Sequence, residues 1–164
     1  MEKTLIDIIK KQTEILLNNF ETTIQTCDIN YLLYSAPIWK HIYHTLHSCD
    51  QWFINPNQYS EPLCHEPNLN SLDSASDTYL SLENLQEYFI AIRHKVMKYL
   101  DEITDDMLYE NPEGCVHSRL ALILGQYRHM CVHMGNINAT TIITHGKWPR
   151  VVGLDGDFAL GLFE

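Results

Sequence analysis

Nine of the 164 residues are histidine, and two of them, His129 and His133, stand four apart as H-x-x-x-H in the last helix-like stretch of the chain. Residues at that spacing on an α-helix lie about 40° apart around its axis, so both imidazoles point the same way, one turn apart. Such a pair can close on a single metal ion, because metal–nitrogen bonds of roughly 2.0–2.1 Å suit the gap between successive turns. A third imidazole from the upstream cluster His41, His44 and His47 would complete a three-histidine face. Positions left open on the ion for water or substrate are a mark of reactive sites more than of structural ones.

The bland alternative is a pair of polar residues at a helix edge, since nine histidines will produce this spacing by chance fairly often. Context favours the inward reading: the same helical face carries Leu122, Gly125, Gln126 and Ile137. Neutral imidazoles turned to a core need partners, and a metal is one way to supply them. On the upstream helix, Trp39, Ile42, Leu46, Cys49 and Phe53 define the inner face. His47 lies nearest its edge, His44 farther round and His41 on the far side, so periodicity alone slightly favours His47. Cys131 points away from the histidine pair and reads as a small core residue. Asp50 reads as a solvent-exposed acid, with an outer carboxylate beside the site as its other role. Cys64-His65 offers another pair of donors, with little in its spacing to support it. Metalloprotease chemistry needs Glu after the first histidine, where Met130 stands. The E-x-x-H pairs of di-iron bundles, the G-x-S-x-G elbow and a glycine-rich phosphate loop are all missing from the sequence.

Four amphipathic segments must position these side chains. The first, about 3–21, spaces Leu5, Ile8, Ile9, Thr13, Leu16, Leu17 and Phe20 for one helical face. The second, about 36–54, has Ser35 as a cap, Pro37 in its first turn and Asn55-Pro56-Asn57 as its stop. The third, about 81–102, lines up Leu82, Leu85, Phe89, Ile92, Val96 and Leu100; the fourth, about 117–143, carries Leu120, Ile123, Leu124, Tyr127, Cys131, Met134 and Ile137. A long Asn/Pro/Ser-rich loop, NPNQYSEPLCHEPNLNSLDSASD, separates the second and third. Loops of that length in a compact domain are usually functional or mobile, and in a bundle they can cross from end to end. The expected architecture is one all-α domain spanning 1–164: a four-helix bundle with a long crossover between helices 2 and 3. Its non-helical tail, 144–164, is apolar enough to need cover from the bundle or from a second subunit.

Eleven basic against twenty-one acidic residues give a formal charge of −10, a poor partner for nucleic acid, whose binding relies on clustered Lys and Arg. Five scattered cysteines without a C-x-x-C pair argue for a reducing compartment and against a disulfide framework. The opening MEKTLIDIIKKQ does not read as a signal peptide, and no apolar run approaches the ~20 residues of a membrane span. A cytoplasmic protein is expected.

Two segments, WKHIYHTLHSCDQWF and SRLALILGQYRHMCVHMGNINA, resemble the signature helices of the DinB-like superfamily, whose founding members were DNA-damage-inducible. The first signature is a histidine near the middle of helix 2 followed eight residues later by an aromatic, matched by His44 and Trp52. The second is a flanked H-x-x-x-H followed by Gly and a small polar run, matched by Gln126, Arg128, His129, His133, Gly135 and Asn136. The resemblance spans essentially the whole chain. It implies a dimeric four-helix bundle with a divalent metal, zinc or nickel, held by His44, His129 and His133, with His47 as the alternate to His44. It further implies a thiol-dependent transferase or isomerase that uses a low-molecular-weight thiol such as bacillithiol or mycothiol with a small electrophilic substrate. The rival readings are a non-catalytic, metal-binding dimeric bundle and a hydrolase using metal-bound water. Three neutral imidazoles leave the ion's full charge to lower the pKa of a bound thiol or water.

Overall fold

The computed structural model describes residues 4–154 and 157–164. Lys3, where periodicity would begin the first helix, lies outside the described residues, as do Met1 and Glu2 at the head of MEKTLIDIIKKQ. The molecule is predominantly helical. Among the described residues the α-helices are α1 (Leu5–Thr26), α2 (Ile38–Trp52), α3 (Leu82–Glu102), α4 (Asp105–Tyr109) and α5 (Arg119–His145). A small antiparallel hairpin, β1 (Leu32–Leu33) and β2 (Ala36–Pro37), leads into α2. No helix among the described residues is long and apolar enough to cross a membrane.

Local chemistry explains where the helices begin. Thr4 caps α1 in a capping box with Asp7, and Ser81 caps α3 in one with Asn84, so orphan amide N–H groups at both starts are satisfied. Ser118 accepts from Ala121 N at the start of α5, and Gly146, at φ +65°, closes its end in the left-handed region that glycine enters freely. The α2 start differs from expectation. Pro37 itself occupies the cap, without a side-chain bond, because Ser35 is taken up in the hairpin turn. The connector TDDMLYENPEG contains α4, whose Asp105 carboxylate accepts from Leu5 N and Ile6 N at 3.0 and 2.8 Å. An anion at a helix N-terminus meets both free N–H groups and the positive end of the dipole. Asp105→Ala should therefore cost about 1–2 kcal/mol, readable as a lower urea midpoint with an unchanged slope.

Helices α1 and α2 each pack against both α3 and α5. The core joins Leu17, Phe20 and Ile24 of α1, Ile42, Leu46 and Cys49 of α2, Leu85, Phe89 and Val96 of α3, and Ile123, Met130 and Ile137 of α5. The expected stripes of α2 and α3 match this closely. On α5 the expected Ile123, Met134 and Ile137 are buried, joined by Leu122, Gln126, Met130, Thr140 and Thr141, while Leu124 and Cys131 are exposed. Apolar residues on more than one face of α5 blur its period, and Cys131 is not the core residue its spacing suggested.

Helix α2 is buried almost all round, the state of a helix covered on every side. Its fourth side is covered by the long loop. Leu69, fully buried, anchors that loop in the core, and the preceding Asn68 takes φ +68°, a left-handed conformation that Asn tolerates better than most residues. Four α2 side chains one stripe apart hold the loop: Lys40 donates to Ser74 O, Tyr43 bonds His65, His44 bonds Asn70 O and His47 bonds Glu61. After α5 the tail folds on itself through a Pro149–Phe163 bridge. It is pinned to α1 by Asn19, whose amide exchanges two bonds of 2.8–2.9 Å with the backbone of Val152. Helix α5 runs two residues into the expected tail, which was to start at Thr144. Beyond His145 the described residues hold one short 3-10 turn, Phe158–Leu160, and no other helix, and part of the tail does pack along the helices.

Candidate metal centre

His129 and His133 stand one turn apart on α5, with ring centroids 4.5 Å apart. His44 of α2 meets them from the facing helix, its ring 5.1 Å from His129 and 4.7 Å from His133. One nitrogen of each ring lies within 4.8 Å of the others, an arrangement that can hold a metal ion. The closest approach is His44 Nε2 to His129 Nε2, 3.1 Å, about the separation of two ligands sharing one ion with bonds of roughly 2.0–2.1 Å. All three residues are half-buried, between the core and solvent.

Orientation is fixed from the loop. His44 Nδ1–H donates to the Asn70 carbonyl at 2.7 Å, which sets its tautomer and leaves the Nε2 lone pair facing the α5 histidines. A carbonyl behind a ligating imidazole is the arrangement that raises its basicity and locks its ring. The two α5 rings are held differently: Nδ1 of each is buried without a hydrogen-bond partner in the protein. Buried polar nitrogens are rarely left so, and an ordered water beside each ring removes the deficit. Burial first, and then the neighbouring His44 imidazole, drives His129 down to about 4. Burial and the three nearby histidines do the same to His133. At neutral pH both rings are therefore uncharged, the form that ligates metal.

The other histidines of α2 are buried too, but turned elsewhere. His41 Nε2–H donates to the Leu33 carbonyl at 3.2 Å, its ring 6.4 Å from His133. His47, favoured by periodicity, faces Glu61 and His65 instead. The angular argument misplaced it because it assumed one buried face, whereas the loop gives α2 a second. Gln126 is buried and accepts from Ser48 Oγ, 3.3 Å, tying α5 to α2 near the imidazoles. Arg128, Gly135 and Asn136 of the same signature are exposed, and Trp52 is 40% exposed. Asp50 is neither an exposed acid nor a partner of the three imidazoles: with its side chain 11% exposed, it accepts from Tyr88 and pairs with Lys95 at 2.5 Å.

Asn70 is the residue that periodicity and motif matching overlook. It lies in an irregular loop, and only its backbone carbonyl touches His44, so its side-chain type carries no signal of that contact. Comparison of the chain with family models, curated proteins and solved structures gives no match.

Proposed function

We propose that this chain is a DinB-like four-helix bundle that holds one divalent metal ion on His44, His129 and His133 and uses it in a thiol-dependent transfer. The observation that carries the reading is the convergence of three imidazoles from two facing helices, each offering one ring nitrogen within 4.8 Å of the others. In this reading α1, α2, α3 and α5 are the four bundle helices, and the segment from Phe53 to Ser81 is the crossover.

Zinc or nickel suits three neutral imidazoles. Bound there, the ion supplies a Lewis acid that makes a low-molecular-weight thiol a better nucleophile at neutral pH. The chain's own part is to orient and to exclude. Asn70 holds the His44 ring, the turn between His129 and His133 fixes their spacing, and burial keeps those two rings uncharged. His41, tied to the Leu33 carbonyl, stays out of the donor group, which supports a centre with room for an outside ligand and not one closed by a fourth histidine.

A homodimer in the cytoplasm completes the proposal. It is supported by apolar side chains that this chain leaves uncovered on α5 and the tail, among them Val132, Ile143, Trp148, Leu154 and Leu160. All five cysteines are unpaired, which fits a reducing compartment. Light scattering should return twice the chain mass of 19.1 kDa; a single sharp species at 19.1 kDa would remove the dimer.

The reaction is tested by loading the chelated protein with zinc or nickel and following loss of free thiol. The thiols are bacillithiol, mycothiol and cysteine, each offered with a small electrophile such as an activated aryl halide. Metal-dependent consumption is expected in the wild type and only background in His44→Ala. Equal rates in both proteins would sink the transferase reading, and turnover of an ester without any thiol would replace it with hydrolysis.

A further inference from the structure

One turn beyond His44, the His47 imidazole, 3% exposed, turns to the loop. His47 Nε2–H donates to Glu61 Oε2 at 2.7 Å, and His65 Nδ1 lies 3.7 Å from the same oxygen. The His47 and His65 rings are nearly parallel, with centroids 4.8 Å apart. Tyr59 stands edge-on to His47, and Tyr43 stacks on His65. One donor atom from each of His47, Glu61 and His65 lies within 4.8 Å of the others. We propose that these three residues form a second divalent-cation site, distinct from the three-histidine centre and independent of the reading given to it.

The donor set favours a transition-metal ion. Two imidazoles and one carboxylate suit zinc and ferrous iron, and the remaining positions are left to water. The carboxylate brings a negative charge that the three-histidine centre lacks, so half of a dication's charge is neutralised by the ligands themselves. The Glu61 side chain is 48% exposed, which gives an ion a route in from solvent, while His47 and the tyrosines wall the inner side.

The change on binding is small and balanced. The ion takes the place of the His47 Nε2 proton, which is returned to the ring at Nδ1 by exchange with solvent, so the imidazole stays neutral and no net proton is released. Glu61 Oε2 then moves back from 2.7 Å to the ~3.0–3.4 Å that two ligands with bonds of about 2.0–2.2 Å keep between them. A half-exposed loop side chain can make that shift. His65 Nδ1 exchanges its 2.8 Å bond with the Tyr43 hydroxyl for the ion. Deprotonated at Nε2, His47 must carry its proton on Nδ1, which faces the Asn70 side chain at 3.3 Å. An Asn amide serves either tautomer, since it donates through Nδ2 or, turned over, accepts through Oδ1.

Asn70 gives the second site its use. Its side chain meets His47 and its carbonyl holds His44, so one loop residue touches a ligand of each centre. A cation that ties Glu61 and His65 to His47 clamps the loop on α2 and thereby steadies the carbonyl that orients His44.

The test is cobalt content of the full chain after chelation, reloading with Co(II) and dialysis, read by elemental analysis and visible absorption. The wild type should retain about two ions per chain, and Glu61→Gln and His65→Gln about one each. His129→Ala/His133→Ala should also retain about one, with an absorption spectrum different from that of the Glu61→Gln protein. Glu61 is half exposed and His65 lies on the loop, so with metal removed both single variants should keep wild-type circular dichroism and melting. If Glu61→Gln and His65→Gln fold and hold as much cobalt as the wild type, the residues are a hydrogen-bonded network only and the proposal falls. Loss of the ion in Cys64→Ser but not in Glu61→Gln would overturn the donor set. A wild type with one ion, kept in the double histidine variant and lost in Glu61→Gln, would remove the three-histidine centre and leave this site standing.

Discussion

Replacing His129 and His133 together with Ala is expected to lower the divalent ion content of the reloaded chain by about one per molecule. The two imidazoles supply two of the three donors, and α5 holds them at one spacing, so removing both leaves only His44. A lone imidazole cannot keep an ion through dialysis. The thermal consequence is equally large. At ~1,000-fold excess over its dissociation constant an ion that binds only the folded state stabilises it by about 4 kcal/mol. For a domain of this size that corresponds to a melting rise of roughly 8–16 °C. The rise belonging to the three-histidine centre should vanish in the double variant; ion content equal to the wild type would refute the site.

The second large effect is on the core. Phe89 of α3 is 1% exposed and packs at 6.4 Å, tilted by 45°, on Phe20 of α1, itself fully buried. Truncation to Ala leaves a ring-sized void where the two helices meet. The expected cost is about 3–5 kcal/mol, from lost transfer energy plus the cavity. The melting temperature should fall by roughly 6–20 °C at the 2–4 °C per kcal/mol usual for this size. Neither phenylalanine belongs to the imidazole cluster, so ion content measured well below the lowered melting point should match the wild type. A drop under about 1 kcal/mol would mean that neighbouring side chains collapse into the space.

Helix positions were legible because capping and periodicity act locally. The α3 stripe from Leu85 to Leu100 needed only the 3.6-residue period, and the inner face of α2 from Trp39 to Phe53 likewise. The same reasoning failed where a second element covers a helix. Lys40 and His47 are among the most polar residues of α2, yet both are buried, because the loop folds over the side that a simple amphipathic pattern leaves to water. Cys131 failed for the opposite reason: apolar residues on more than one face of α5 gave a false period. The hairpin at Leu32–Pro37 and the five-residue α4 were invisible because pairings so short have no period of their own.

For the candidate centre, the spacing of His129 and His133 was already a statement about three dimensions, since a helix converts four residues into one turn. Which of three α2 histidines faces them was not. Periodicity pointed to His47, family resemblance pointed to His44, and His44 is the residue beside His129 and His133. By itself the sequence determined the helical segments, the paired α5 imidazoles and the presence of a long loop, because each depends on contacts within a few residues. Tertiary structure alone decided how the three α2 histidines divide their roles. His41 goes to the hairpin, His44 to α5 and His47 to the loop. Burial on every side of α2 gives each of its faces a different partner, and no local pattern encodes which partner comes to which face.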